Sequence, residues 1–260
     1  MSAGAQRAAC RRFVGQSALV TGAGGLIGRA TAVRLAQEGA ARLVITDISQ
    51  RKLDEAAAEV RTSSRECEVI AHRCSVVSLD EVHGLRDAAG PQPLDALVNV
   101  VGGLMGREIY QDLWEMSEER WDGAFALNLK TIFHMVRTFG PAMKQRPGGR
   151  IVNVASIAMG GDPQQPDYAA AKAGVASLTR SLAADFAPHV TVNCVAPGIV
   201  TDDPATFDSP YVQRYVARSV LKRPGGSAEA AAAIAFLASP DASYVTGAIL
   251  PVSGGIWPAL

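Results

Sequence analysis

Tyr168 and Lys172, one helical turn apart in Tyr-Ala-Ala-Ala-Lys, are the residues of this chain best suited to moving a proton. A spacing of four puts both side chains on one helix face. An ammonium beside a phenol favours the phenolate. Lys172 is therefore expected to lower the Tyr168 pKa and make the phenol a usable acid and base at neutral pH. Solvated helix faces carry the same pair, so its meaning comes from its company. Ser156 lies upstream, and a glycine-rich turn, Thr-Gly22-Ala-Gly24-Gly25-Leu-Ile27-Gly28, follows a short apolar run near the start. Glycines let a backbone turn tightly against a pyrophosphate, and the helix opening after them offers free N–H groups to the anion. Asp47 follows Gly28 by 19 residues, at the end of the next apolar run. A carboxylate there accepts both ribose hydroxyls of an adenosine and repels a 2′-phosphate. No Arg or Lys stands in the turn or directly after Asp47, which favours NAD(H) over NADP(H). A strand-end Asp that serves only as a turn residue is the alternative.

Alternating strands and helices must position these groups. The sequence predicts strands at 17–21, 42–46, 68–73, 94–100, 150–154, 190–195 and 248–252. Helices are expected at 26–38, 53–60, 79–88, 118–144, 166–187 and 228–237. This rhythm predicts an α/β fold: a Rossmann-like, doubly wound parallel sheet of about seven strands with helices on both faces, in a single domain. Residues 202–224, with Pro204, Phe207, Pro210, Tyr211 and Tyr215, break the rhythm and read as an irregular lid or substrate loop.

The chain of 260 residues is 48% hydrophobic, with Lys+Arg and Asp+Glu both at 25. That balance offers nothing to nucleic acid or an anionic membrane surface. No run of 18 apolar residues exists to span a membrane. The cysteines (Cys10, Cys67, Cys74, Cys194) lack metal-ligand spacing and the histidines do not join them, so no metal is expected. Free thiols in a reducing cytoplasm are the expectation. Residues 1–13, with Arg7, Arg11 and Arg12 and no acid, are expected to form a flexible or loosely docked arm rather than a secretory signal; a transit peptide is the other reading.

With these residues assembled, the chain resembles the short-chain dehydrogenase/reductase family in its compact, single-domain branch, over about residues 14–256. The resemblance rests on Thr21–Gly28, Asn99-Val-Val-Gly102, Leu-Asn128-Leu-Lys, Ser156, Tyr168-x-x-x-Lys172 and Pro197-Gly198, then Arg223-Pro-Gly and Gly254-Gly255. It implies a catalytic tetrad of Asn128, Ser156, Tyr168 and Lys172. Tyr168 exchanges the hydroxyl proton, and Ser156 bonds the substrate oxygen. Lys172 holds the nicotinamide ribose, and Asn128 relays protons through a water. The resemblance also places cofactor contacts at Gly22, Gly24, Gly25, Ile27, Gly28, Asp47, Ile48, Ser75, Val76, Asn99 and Gly102, and at Pro197, Gly198 and Val200. Leu104, Met105, Ile157, Met159 and Ile199, with Phe207 and Tyr211 from the lid, are expected around the substrate. The implied activity is hydride transfer between NAD(H) and a secondary alcohol or ketone. An NADPH-dependent 3-oxoacyl-thioester (acyl-carrier-protein) reductase is the runner-up, and a non-catalytic dinucleotide-binding regulator is a third reading.

Several positions depart from the family pattern. Leu26 replaces a middle glycine, giving the turn of the extended branch, whose extra C-terminal domain this chain is too short to hold. Ser75 stands where an Asp contacts adenine, so that contact is expected to be weak or backbone-only. Twelve positions separate Ser156 from Tyr168, one fewer than usual. Asp202 replaces a threonine that holds the carboxamide, with Thr201 beside it. The alanine-rich face of 168–177 and the apolar stretch 249–260, with Ile256, Trp257 and Leu260, point to a homo-oligomer, most simply a homotetramer.

Overall fold

The structure is a computed structural model that describes residues 11–106 and 109–256. Seven parallel strands form one sheet in the order β3-β2-β1-β4-β5-β6-β7. The strands are β1 (Ser17–Thr21), β2 (Arg42–Thr46), β3 (Glu68–Ala71), β4 (Ala96–Asn99), β5 (Gly149–Val154), β6 (Val190–Pro197) and β7 (Ile249–Val252). Between them run α1 (Leu26–Gln37), α2 (Gln50–Ser63), α3 (Leu79–Ala89), α4 (Glu118–Phe125), α5 (Thr131–Lys144) and α6 (Pro166–Phe186). The helices α7 (Pro210–Arg218) and α8 (Ser227–Leu237) lie between β6 and β7.

Alternation along each strand divides the core. In β1, Ala18 and Val20 join the apolar layer that holds Leu35 of α1, Leu53 of α2 and Ile234 of α8. Leu19 points the other way, toward Leu85 of α3, Met135 of α5 and Val175 of α6. Buried on both faces, the strands read as the apolar runs a parallel sheet requires. The order reverses between β1 and β4, and the strand ends there open a crevice.

Three regions differ from the sequence expectation. The predicted helix at 118–144 is broken: α4 and α5 are joined by a π-helical turn, Ala126–Lys130, which carries Asn128 inward. The lid is largely ordered, with a 3-10 turn at Pro204–Thr206 and then α7, whose Val212, Tyr215 and Val216 are buried. Ser209 and Pro210 supply the N-cap and first residue that start this helix. The described end of the N-terminal arm is docked: Phe13 is fully buried in the core, and Arg12 bonds both oxygens of Glu38 at 2.6 and 2.8 Å. The rest of the arm, residues 1–10, and the tail residues Trp257 and Leu260 lie outside the described residues. Ile256 is 5% exposed and packs against Ile157 and Tyr215 within this chain, so its apolar surface needs no second copy to cover it.

Among the described residues no helix is long and apolar enough to cross a membrane, and no group of His, Cys, Asp and Glu is placed to hold a metal ion. Cys67, Cys74 and Cys194 are buried free thiols.

Candidate active site

A cleft of about 530 Å³ lies at the C-terminal ends of the strands, along the reversal between β1 and β4. Gly22, Gly25, Ile27 and Gly28 of the turn after β1 form one wall. The turn fits the first turn of α1 closely, because a Cβ on Gly28 would lie 2.1 Å from the Gly22 carbonyl oxygen. Gly24 does not line the cleft; its N–H donates to Asp47 Oδ2 at 3.0 Å, while Asp47 Oδ1 accepts from the Ser49 N–H at 2.9 Å. Asp47 is thus oriented by backbone donors at the cleft edge. Lys52, five residues on, is a neighbour the sequence did not disclose: a Cβ on Gly24 would meet the Lys52 Cβ at 2.6 Å.

Leu26, Ile48 and Val77 are exposed by 44%, 64% and 39%, and all three line the cleft next to Asp47. Apolar side chains left open around a carboxylate suit a flat ring flanked by a diol. Ser75 and Val76 complete this end. The Ser75 N–H donates to Glu81 Oε2 at 2.9 Å. Val76 is fixed by His134, whose Nδ1 donates to the Val76 carbonyl at 3.1 Å.

At the other end stand Ser156, Tyr168 and Lys172. The short connection from Ser156 to Tyr168 turns through left-handed Gly161 (φ 101°) and Gln164 (φ 64°), and Ser156 and Tyr168 line the same cleft. Lys172 is 2% exposed; its Nζ donates to the Val154 carbonyl at 2.9 Å and lies 5.7 Å from the Tyr168 ring centre. Burial pulls the Lys172 ammonium down to about 8. The expected fall in the Tyr168 pKa is not what the protein alone produces: burial pushes the phenol up to about 12, and nearby Ser156 opposes the rise. Desolvation of the buried phenolate dominates.

Asn128 is fully buried beside this pair rather than in the cleft. Its Oδ1 accepts from the Gly103 N–H at 2.8 Å, and its Nδ2 donates to the carbonyls of Gly103 and Ala124. A Cβ on Gly102 would lie 2.7 Å from both Asn128 Oδ1 and Lys172 Nζ, so the two groups converge on that glycine. Asn99 is buried and donates to Asn153 Oδ1, and Asn153 Nδ2 in turn donates to Thr179 Oγ1, tying β4 and β5 to α6.

Pro197, Gly198, Ile199 and Val200 form the wall facing Tyr168. Asp202 is turned away, its carboxylate accepting from the Ser227 N–H at 2.8 Å and the Ser227 hydroxyl at 2.5 Å at the start of α8. Thr201 bonds Thr206 at 2.8 Å. Of the predicted substrate residues, Ile199 and Tyr211 line the cleft; Leu104, Met105, Ile157, Met159 and Phe207 do not. Met159 is core packing at 4% exposure, and Ile157 packs beneath α7. Met105 abuts α4 at Gly123, and Phe207 is 36% exposed. Periodicity does not separate such residues from true lining.

Residues 22–257 match the family described as enoyl-(acyl carrier protein) reductase. The chain is 35% identical over 249 residues to a 3-oxoacyl-[acyl-carrier-protein] reductase of Staphylococcus aureus, covering 93% of this chain and 98% of that protein. Among solved structures it resembles levodione reductase, with a TM-score of 0.86 and 32% identity over 96% of this chain and all of the other. It also resembles NAD+-bound xylitol dehydrogenase, with a TM-score of 0.82 and 30% identity over 94% of this chain and all of the other. The chain belongs to the short-chain dehydrogenase/reductase family, in its single-domain branch. It is an oxidoreductase of the kind that acts on CH–OH groups with a nicotinamide dinucleotide.

Proposed function

We propose that this protein is an NAD(H)-dependent oxidoreductase that interconverts a secondary alcohol and a ketone, with Tyr168 as general acid and base. The observation that carries this reading is one continuous cleft, with the oriented Asp47 carboxylate at one end and the Ser156–Tyr168–Lys172 group at the other. Its glycine turn, open apolar rim and carboxylate fit an adenosine dinucleotide. Such a cofactor, when bound, supplies or takes up the hydride.

The side chains do the rest. Ser156 bonds the reacting oxygen and stabilises the charge that develops there. Tyr168 gives that oxygen its proton in reduction and removes it in oxidation. Lys172 favours the phenolate and reaches toward the ribose, while Asn128, sharing the Gly102 corner, stands where a water can pass protons between the ammonium and solvent. Gly22, Gly25 and Gly28 pack the pyrophosphate, and Pro197, Gly198 and Val200 hold the carboxamide. A cytoplasmic setting belongs to the same reading, supported by three buried free thiols.

The test is a screen of secondary alcohols, polyols and cyclic alcohols, following the absorbance of the reduced nicotinamide, with dissociation constants for NADH and NADPH. Turnover with NAD+ and tighter NADH binding are expected; tighter NADPH binding would overturn the cofactor choice. An NADPH-dependent 3-oxoacyl-thioester reductase is the second reading, favoured by the relatives that carry that name at 35–36% identity. Asp47 opposes it, and acetoacetyl thioester with NADPH tests it directly. Tight NADH binding with no turnover would instead point to a regulator.

A homotetramer is part of the proposal. Ala170, Ala173 and Ser177 leave part of α6 exposed and small-sided, which permits close approach of a second helix. Light scattering tests it, and a dominant species at 27.2 kDa would refute it.

A further inference from the structure

A buried charge pair that the proposed proton transfer does not use ties the helix leading to Asn128 to the turn that carries Tyr168. Asp167 stands immediately before Tyr168, in the first turn of α6. Arg120, in the first turn of α4, donates from Nε to Asp167 Oδ2 at 3.1 Å. The two side chains are 13% and 2% exposed. Arg120 Nη1 also donates to Gln111 Oε1 at 2.9 Å. The Gln111 N–H donates in turn to the Gln164 carbonyl at 2.8 Å. Gln164 is the left-handed residue of the short connection from Ser156 to Tyr168. One guanidinium thus holds the start of α6 directly and, through Gln111, the turn that leads into it.

Helix stability does not account for this pair. Asp167 suits the positive end of α6, but Arg120 stands against the dipole at the same end of α4. Taking both groups out of water offsets much of their attraction, so a buried pair adds little net stability and is better suited to fixing register. Register matters at this place. Arg120 lies eight residues before Asn128 on one helical run, made of α4 and the π turn. Asn128 meets Lys172 at the Gly102 corner, one turn beyond Tyr168 on α6. A slide or rotation of α4 against α6 would part Asn128 from Lys172. A planar guanidinium resists both, because it meets two acceptors in fixed directions.

We propose that Arg120 and Asp167 are positioning residues: together they pin the first turn of α6 to α4, so that Tyr168, Lys172 and Asn128 keep the register that proton transfer needs. This deepens the reading of Tyr168 as general acid and base, and rests on it.

The experiment follows turnover of 2-butanol, cyclohexanol and sorbitol with NAD+ by the full chain, with an NADH titration of each variant. Arg120→Lys keeps the charge but loses the fork. It should lower kcat about ten- to a hundredfold, the scale of a displacement of about 1 Å at the reacting atoms. KM and NADH affinity should stay within about twofold, because neither residue lines the cleft. NADH should still bind at full stoichiometry, which separates this loss from a shortage of folded protein. The solvent deuterium isotope effect on kcat should rise as the step at Tyr168 becomes limiting. Arg120→Met combined with Asp167→Leu removes both charges without orphaning either. It should show the same loss in kcat, and it keeps the test open if Arg120→Lys does not fold. Wild-type kcat in a folded variant, or a loss of kcat matched by a loss of NADH stoichiometry, overturns the inference while leaving the alcohol reading in place. Failure of the wild type to turn over any of the three alcohols overturns both.

Discussion

The two ends of the cleft are built in opposite ways. At the adenosine end, the glycine turn and Asp47 come from one strand–helix–strand unit, and backbone donors fix them. At the substrate end, Tyr211, Tyr215 and Asp162 come from α7 and from the loop between Ser156 and Tyr168, and side chains alone hold them together. Backbone geometry tolerates few alternatives, whereas a side-chain cluster is rebuilt by single substitutions. One scaffold can therefore keep its cofactor and change its substrate.

The largest effect is expected where the two ends meet. Tyr168→Phe should lower kcat by about 10²–10⁴, the usual weight of general acid–base catalysis, because only the proton donor is lost. NADH titration should show affinity close to wild type; half the wild-type activity would place the acid elsewhere. Gly28→Ala should break the adenosine end itself. Its Cβ would lie 2.1 Å from a backbone oxygen, so denaturant melts should show a loss of about 3 kcal/mol and calorimetry little dinucleotide binding.

Lys172→Met separates stability from function. The buried ammonium has a pKa of about 8, below its ordinary 10.5, so the unfolded chain binds the proton more tightly than the folded one. Below about pH 8 this costs the folded state its full penalty, and removing the charge should stabilise the protein by about 1–3 kcal/mol while abolishing activity. Because stability of the wild type rises with pH between those values, the advantage of the variant should shrink from pH 8 to 10.5. An advantage constant with pH, read from melts across that range, would show that Lys172 is not the cause.

Asp47→Ala should narrow the preference for NADH over NADPH by about 1–3 kcal/mol, as expected for one charge-assisted hydrogen bond. Paired dissociation constants check it. The smallest effect belongs to Asp162→Asn. Asn still accepts from Tyr215 and the pairs with Arg214 and Arg218 are partly exposed, so stability should fall by about 1 kcal/mol. Dinucleotide affinity should stay within about twofold, since the two ends share no partner. A large loss of NADH binding would show that the ends are coupled after all.

The same contrast decides what could be read from the sequence. The strands, the glycine turn, Asp47 and the Tyr168–Lys172 helix are local patterns, and each lies where periodicity and spacing put it. Asn99 carries no local sign that its amide turns to Asn153, and Met159 none that it faces the core. The helical segment of the lid is hidden because Pro204, Pro210 and the aromatics Phe207, Tyr211 and Tyr215 read as a loop, although Ser209-Pro210 is a helix start. The rise of the Tyr168 pKa depends on burial, which spacing does not report. Lys52 and Asp162 become neighbours of the site only through folding, so no spacing rule finds them.

The π-helical turn at Ala126–Lys130 makes this enzyme sensitive to a change in length rather than in side chain. A π turn is an α-helix carrying one residue too many. Deleting a single codon there would let α4 run straight into α5, a regular helix with nothing locally wrong. It would leave the two segments nearly in register but remove the bulge that carries Asn128 toward Gly102 and Gly103. Such a deletion would leave a folded protein in which the corner shared by Asn128, Gly102 and Lys172 is dismantled.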